Sequence, residues 1–169
     1  MAKKTTSRSI ILTGTEQTDE VGRILHAGPL SVELDGGNLR YLRLNGIEVL
    51  RAIAFLVRDE NWGTYVPAIS DMTITQRDDG FSVAYEAICS RADQSIAYAA
   101  RIEGRADGTL DFHALGMPQT DFLTARTGFV VLHPLDGVVG HQLKVEHVDG
   151  STTHSEFPEQ VNQIGRAHV

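Results

Sequence analysis

Short turn sequences rich in Gly, Asn and Asp recur roughly every 8 to 12 residues through most of this chain. Between the turns, apolar and polar residues alternate with the two-residue period of a half-buried strand, and no window shows the apolar stripe of a helix. The turns occupy residues 35–38, 45–46, 78–80, 107–108, 136–137 and 149–150. This spacing predicts an all-β protein, built as an antiparallel β-sandwich with no substantial helix.

The alternating segments predict the positions of the first strands. Strands are expected over residues 9–13, 30–34, 39–44, 47–58, 72–77, 81–91, 95–103 and 109–116. The Asn45-Gly46 dipeptide is the strongest hairpin signal, so the strands on either side of it should pair. Residues 59–70 should form a loop. A short helix over residues 97–105 remains the main alternative to a strand there, because helix-tolerant residues are frequent in that segment.

Residues 126–158 contain the last three predicted strands. Residues 129–132 form a continuous apolar run, which is typical of a central strand covered on both faces. Residues 142–146 alternate as a half-buried strand, and residues 151–156 follow after a turn. Together these segments predict a three-stranded meander that carries four of the seven histidines.

Length, composition and charge exclude several classes of protein. The 169 residues suit one domain, and the apolar and charged fractions, 41% and 22%, are ordinary for a globular protein. A net charge of −7 argues against nucleic acid or an anionic membrane as partner, because both require clustered Lys and Arg. No apolar run reaches membrane-spanning length and no signal peptide is apparent, so a cytoplasmic protein is expected.

The single cysteine and the absence of known catalytic and cofactor-binding motifs argue against several kinds of active site. Cys89 permits no internal disulfide, which fits a reducing compartment, and its place on the apolar side of a strand indicates a buried packing residue. Neither a nucleophile elbow nor a dinucleotide or phosphate-binding loop occurs, so no cofactor is expected. Histidine spacing lacks the compactness of a zinc site, so no metal is expected either.

The last six residues do not look like natural protein sequence. Residues 164–169, IGRAHV, are the translation of one reading frame of a common sequencing adapter, ATC GGA AGA GCA CAC GTC. Such a segment is excluded from fold reasoning. We therefore expect natural sequence to stop being visible near Gln163, and divide the rest into a polar segment, residues 1–24, with a possible first strand, and a sandwich domain, residues 25–163.

The loop of residues 58–64 contains three charged side chains, one amide side chain and the only tryptophan of the chain. Trp62 is suited to stack on a sugar ring or a lactone while Arg58 or Asn61 donates hydrogen bonds to its hydroxyl groups. The alternatives are that Trp62 plugs the end of the sandwich or contacts another domain.

Arg126 stands just before the apolar run and is a second candidate for ligand binding. Its guanidinium is suited to bind a carboxylate. A salt bridge to Asp121 or Glu146 is the structural alternative.

Several blocks of sequence resemble the N-terminal domain of D-apionate lactonases. The blocks are LRYLRLNGIEVLR at residues 39–51, VRDENWGT at 57–64, RTGFVVLHP at 126–134, VEHVDG at 145–150 and FP at 157–158. They occur in the family's order, and the resemblance extends from about Leu25 to Pro158.

This resemblance implies a bacterial enzyme of apiose catabolism, a hydrolase that opens D-apionolactone to D-apionate. It also implies that a TIM-type barrel follows the sandwich in the parent protein, with a further small β domain after the barrel. Since barrel enzymes build their sites at the C-terminal ends of barrel strands, the barrel missing from this chain is expected to hold the catalytic residues. The partners expected for this domain are that barrel and a small sugar lactone or sugar acid.

Lactone hydrolysis needs a general base that activates water and donors that stabilise the oxyanion. Within this chain, His133, Glu146 and His147 are the catalytic candidates, with Arg126 as a further donor, provided that they converge.

Two other functions remain open. One is a self-contained sugar epimerase with a sandwich of the galactose-mutarotase (supersandwich) type, in which His113 or His133 faces a carboxylate in one concave cleft. The other is a carbohydrate-binding module, in which Trp62, Tyr41 or Tyr65 are exposed together as a stacking platform.

Overall fold

A computed structural model describes residues 22–159. Eleven antiparallel strands make up the described chain. They are β1 (Arg23–Ala27), β2 (Leu30–Asp35), β3 (Asn38–Leu44), β4 (Ile47–Asp59), β5 (Ala68–Arg77), β6 (Gly80–Arg91), β7 (Gln94–Arg105), β8 (Leu110–Pro118), β9 (Thr124–Leu132), β10 (Gln142–Glu146) and β11 (Thr152–Glu156). The strand expected at residues 9–13, the polar segment up to residue 21 and the adapter-like residues 164–169 lie outside the described residues.

The strands form two stacked sheets and one separate hairpin. The first sheet has five strands in the order β1-β2-β3-β4-β9, and the second has four in the order β5-β6-β7-β8. Among the described strands, β10 and β11 pair only with each other. The predicted antiparallel β-sandwich is confirmed, and no helix within residues 22–159 is long and apolar enough to cross a membrane.

The core lies between the inner faces of the two sheets. Its residues are those that the alternation of apolar and polar side chains along the strands places on the inner faces. Alternate side chains of β6 and β7 are buried, and they meet alternate side chains of β1 to β4. These inward side chains are Leu25, Val32, Leu39, Phe55, Val57, Phe81, Val83, Tyr85, Cys89, Ile96, Tyr98 and Ile102. Cys89 is buried, as its position on an apolar face predicts.

The Asn45-Gly46 turn joins β3 and β4 as the sequence predicts. Asn45 has φ 51° and Gly46 has φ 81°, and positive φ at both positions is what a tight two-residue hairpin turn requires. Leu44 pairs directly with Ile47 across it.

The predicted central position of the apolar run is wrong, because β9 is an edge strand. It pairs with β4 alone among the described strands. Phe129 and Val131 point towards the core but remain 38% and 46% exposed, since no further strand of residues 22–159 covers that margin of the sandwich. A continuous apolar run therefore predicts a strand, but neither its position in the sheet nor the burial of both its faces.

The predicted three-stranded meander is also wrong. Between β9 and β10 the chain turns twice, with positive φ at Gly137 and Gly140, so β10 does not return alongside β9. The hairpin of β10 and β11 is present, but it forms its own small sheet.

The alternative of a helix at residues 97–105 is excluded. The segment lies in β7, which pairs along its length with both β6 and β8. The burial of Ile96, Tyr98, Ala100 and Ile102 in the core outweighs the high helix propensity of the alanines between them.

Candidate functional site

The loop after β4 is held by one carboxylate. Asp59 Oδ1 accepts hydrogen bonds from the backbone N–H groups of Asn61 (2.9 Å) and Gly63 (2.7 Å). The Asp59 N–H donates to the Gly63 carbonyl, and the Trp62 N–H donates to the Asp59 carbonyl. Gly63 is needed here because a Cβ atom would lie 2.5 Å from Asp59 Oδ2. The loop is therefore a compact, internally bonded turn.

This loop presents Trp62 to solvent. The indole is 60% exposed, and the backbone has φ 69°, a left-handed conformation that is an outlier for a bulky residue. Arg58 Nη1 donates to the Trp62 carbonyl oxygen at 3.0 Å and helps to hold that conformation. The structure thus excludes the alternative that Trp62 plugs the end of the sandwich.

Two arginines lie side by side next to the loop. Arg58 on β4 pairs directly with Arg126 on β9, and both point away from the core because Val57 points into it. Thr124 Oγ1 donates to the Arg58 carbonyl (2.6 Å) and accepts from the Arg126 N–H (3.1 Å), which fixes the two strand ends together. The structure thus pairs Arg58 with Arg126 and bonds Arg58 to the backbone of the loop that carries Asn61 and Trp62.

The neighbouring arginine of the other sheet is already neutralised. Arg91 at the end of β6 forms an ion pair with Asp59, and its guanidinium lies 5.0 Å from the centre of the Tyr65 ring. Tyr65 is buried and packs against Phe122. Sequence reasoning missed Arg91, because its partner comes from a strand of the opposite sheet.

The predicted salt bridges of Arg126 are absent. Among the ion pairs of residues 22–159, none includes Arg126 or Arg58. Asp121 and Glu146 therefore do not neutralise Arg126.

None of the three catalytic candidates takes part in the hydrogen bonds or the ion pair of the Trp62 loop within the described residues. His133 follows the far end of β9, and seven residue steps from Arg126 correspond to roughly 23 Å at the rise of a strand. The His133 ring packs against Phe157, with ring centres 5.6 Å apart. His147 Nε2 hydrogen-bonds to Thr153 Oγ1 at 2.7 Å.

Glu146 lies at the end of β10 and pairs in register with Thr152. None of the side-chain hydrogen bonds or ion pairs in the described chain joins any two of His133, Glu146 and His147. No group of three or more His, Cys, Asp or Glu residues suited to a metal ion occurs within residues 22–159.

Comparison with known proteins decides the family. The model of the family described as "D-apionate lactonase, N-terminal domain" matches residues 10–165. The chain belongs to this family. A D-apionate lactonase of Brucella anthropi is 44% identical over 149 residues, a match that covers 88% of this chain but 24% of that relative. No solved structure matches.

The chain therefore spans about a quarter of the length of the curated lactonase that it matches. The other three quarters of that relative have room for further domains. The resemblance read from blocks such as VRDENWGT at residues 57–64 is confirmed.

Neither of the two alternative functions, the self-contained sugar epimerase and the carbohydrate-binding module, fits the structure of this lactonase N-terminal domain well. His113 lies on the outer face of β8 beside Arg101 of β7, not opposite a carboxylate in a cleft. Tyr65 is only 5% exposed, and Tyr41 lies among Arg40, Arg43 and Arg51 on β3 and β4. The aromatic side chains do not form one exposed platform.

Asp59 allows a direct test of how the Trp62 loop is held. We expect Asp59→Ala to lower the free energy of unfolding by about 1–3 kcal/mol, because two backbone N–H groups and Arg91 lose their acceptor. Asp59→Asn keeps the Oδ1 acceptor and should cost less. Urea denaturation of the three proteins, followed by the fluorescence of Trp62, measures the difference. Equal losses in the two variants would show that Oδ1 does not organise the loop.

Proposed function

We propose that this domain is the non-catalytic N-terminal part of an enzyme that hydrolyses D-apionolactone to D-apionate. The observation that carries the proposal is the dispersal of the acid and base candidates. A catalytic base and an oxyanion donor must both lie within about 3 Å of the reacting atoms. His133 packs on Phe157 and His147 bonds to Thr153, while the exposed arginines lie at the other end of β9.

We further propose that a barrel-type catalytic domain docks on the outer face of the four-stranded sheet. Ile88, Leu115 and Met117 are largely exposed there, with Ala97 and Ala99 between them. Exposed apolar patches on a small domain mark interaction surfaces. The occupant in our proposal is the remainder of the full-length protein, since three quarters of the curated relative lies outside the match.

The compartment proposed for the enzyme is the cytoplasm. The lone thiol of Cys89 is buried and forms no disulfide, which is compatible with a reducing environment.

Comparison of two proteins tests the proposed activity. Hydrolysis of one lactone ring adds one water, cleaves the ring ester and releases one carboxylic acid proton, so a pH indicator follows the reaction. We expect the full-length protein to hydrolyse D-apionolactone, and the 169-residue chain to leave the uncatalysed rate unchanged. A full-length protein that leaves the lactone intact would refute the substrate.

Single substitutions in the full-length protein test the non-catalytic role. We expect His133→Ala, Glu146→Gln and His147→Ala each to keep kcat within roughly threefold, because none of these side chains touches the reacting atoms in our proposal. A fall of roughly a hundredfold or more in any of them would place catalysis in this domain.

A further inference from the structure

We propose that Arg58, Trp62 and Arg126 form a binding site for the carboxylate of a small sugar acid. The inference rests on the proposed function, because opening a sugar lactone produces such an acid. We name these three residues the arginine–tryptophan site.

The paired arginines are the first argument. Arg58 and Arg126 stand directly opposite each other on adjacent strands, an arrangement that is destabilising for like charges. Neither has an ion-pair partner among the described residues. A bound carboxylate relieves this repulsion and can accept bidentate hydrogen bonds from a guanidinium.

The strained and exposed indole is the second argument. Trp62 is held at positive φ by hydrogen bonds from Arg58 and to Asp59, in a turn that is already ordered without a ligand. Backbone strain of this kind concentrates at ligand-binding sites. An exposed tryptophan offers the flat apolar face against which the C–H side of a sugar packs.

Open space beside the arginines is the third argument. Gly128 is two residues from Arg126 on the same face of β9, opposite Leu56. Its φ of 149° belongs to a region that is essentially restricted to glycine, and a Cβ there would meet nothing within 4 Å. The outer face of β9 is therefore uncovered next to Arg126, so a small molecule can approach the guanidinium from solvent.

The chemistry of the three groups defines the ligand class. Two cations select a carboxylate over a neutral sugar, and the indole selects a molecule with a C–H face over a simple anion such as acetate. A small polyhydroxylated acid, of which D-apionate is the example given by the proposed function, satisfies both requirements.

Titration of the 169-residue chain with sodium D-apionate tests the site. Trp62 is the only tryptophan, so its fluorescence reports binding at this loop without interference. We expect a saturable change, and Arg126→Gln should weaken the affinity by at least about tenfold through loss of a charged hydrogen-bond donor. Arg77→Gln removes an exposed arginine at the opposite end of the sandwich and should change the affinity by less than about twofold.

Uncharged ligands provide a control that needs no variant. The methyl ester of D-apionate and the sugar D-apiose should bind at least about tenfold more weakly than the acid, because neither carries the carboxylate charge. Equal binding of acid and ester, an unchanged affinity of Arg126→Gln, or no saturable signal would each overturn the site.

The two proposals fail independently. An active full-length enzyme combined with no binding of D-apionate here refutes the arginine–tryptophan site alone, and points to Trp62 and the arginines as contacts for the rest of the protein. Binding of the acid combined with an inactive full-length protein refutes the proposed lactonase activity.

Discussion

Replacement of Phe81 by alanine is expected to lower the free energy of unfolding by about 3–5 kcal/mol. The Phe81 ring is 1% exposed and is among the largest fully buried side chains. It lies directly on the bare backbone of Gly104, where a Cβ atom would lie only 2.3 Å from the ring. Because both sheets fix the backbone around the ring, the cavity cannot collapse and its full cost should be observed.

A matched control separates this cavity effect from a general effect of truncation. Val66 is 89% exposed in the loop between β4 and β5, so Val66→Ala should change the free energy of unfolding by less than about 0.5 kcal/mol. Guanidinium denaturation of the two variants and the unchanged chain gives the comparison. A loss below about 1 kcal/mol for Phe81→Ala would mean that the two sheets are not packed at this position.

Alkaline pH is expected to destabilise the fold through two buried phenols and one thiol. Burial, followed by the nearby charge of Cys89, raises the pKa of Tyr98 to about 12. Burial also raises the pKa of Tyr85, with a further contribution from Tyr98, and burial raises the pKa of the Cys89 thiol.

These shifts fix the direction of the pH dependence. In the unfolded chain, cysteine loses its proton near pH 8.5 and tyrosine near pH 10, whereas the folded state keeps both protonated to higher pH. Stability is therefore complete below about pH 8.5 and falls as the pH rises towards the folded-state values. Tyr98 alone should account for a loss of about 2 kcal/mol between pH 10 and pH 12.

Urea denaturation at several pH values between 8 and 12 measures this dependence, and Tyr98→Phe is its control. Phenylalanine keeps the packing of ring 98 against Phe55, where the ring centres are 4.8 Å apart, but has no proton to lose. Between pH 10 and pH 12 the slope of stability against pH should be shallower in the variant by about 1 kcal/mol per pH unit. Identical slopes in the two proteins would show that Tyr98 is not the buried titrating group.

Local turn chemistry made most of the sandwich predictable. Asn45-Gly46 fixed a hairpin, and the alternating apolar residues of β6 and β7 fixed which side chains face the core. The position of β9 could not be predicted, because sheet order depends on contacts between distant segments such as that of Phe129 with Phe112 on β8. The sequence around His133 likewise contains no signal that β10 turns away from β9.

The candidate site was predictable only in part. The residue types around Trp62 pointed to its loop, since charge and an aromatic side chain in a short connection are typical of contact surfaces. That Arg126 lies opposite Arg58 depends on strand register over a separation of 68 residues, and no local pattern encodes it. His133 looked equally suitable in the sequence, but it follows the opposite end of β9 from Arg126.

The free edge of β9 has a practical consequence for anyone who purifies this domain alone. Among residues 22–159 nothing pairs with that edge, and residues 129–132 are four consecutive uncharged residues with strong strand preference. An exposed strand edge of this kind is a template to which a strand of another molecule can add. Gly128 distorts the strand on one side and Pro134 cannot donate a ladder hydrogen bond on the other, so the stretch open to self-association is short. We therefore expect self-association of the isolated domain to increase with protein concentration.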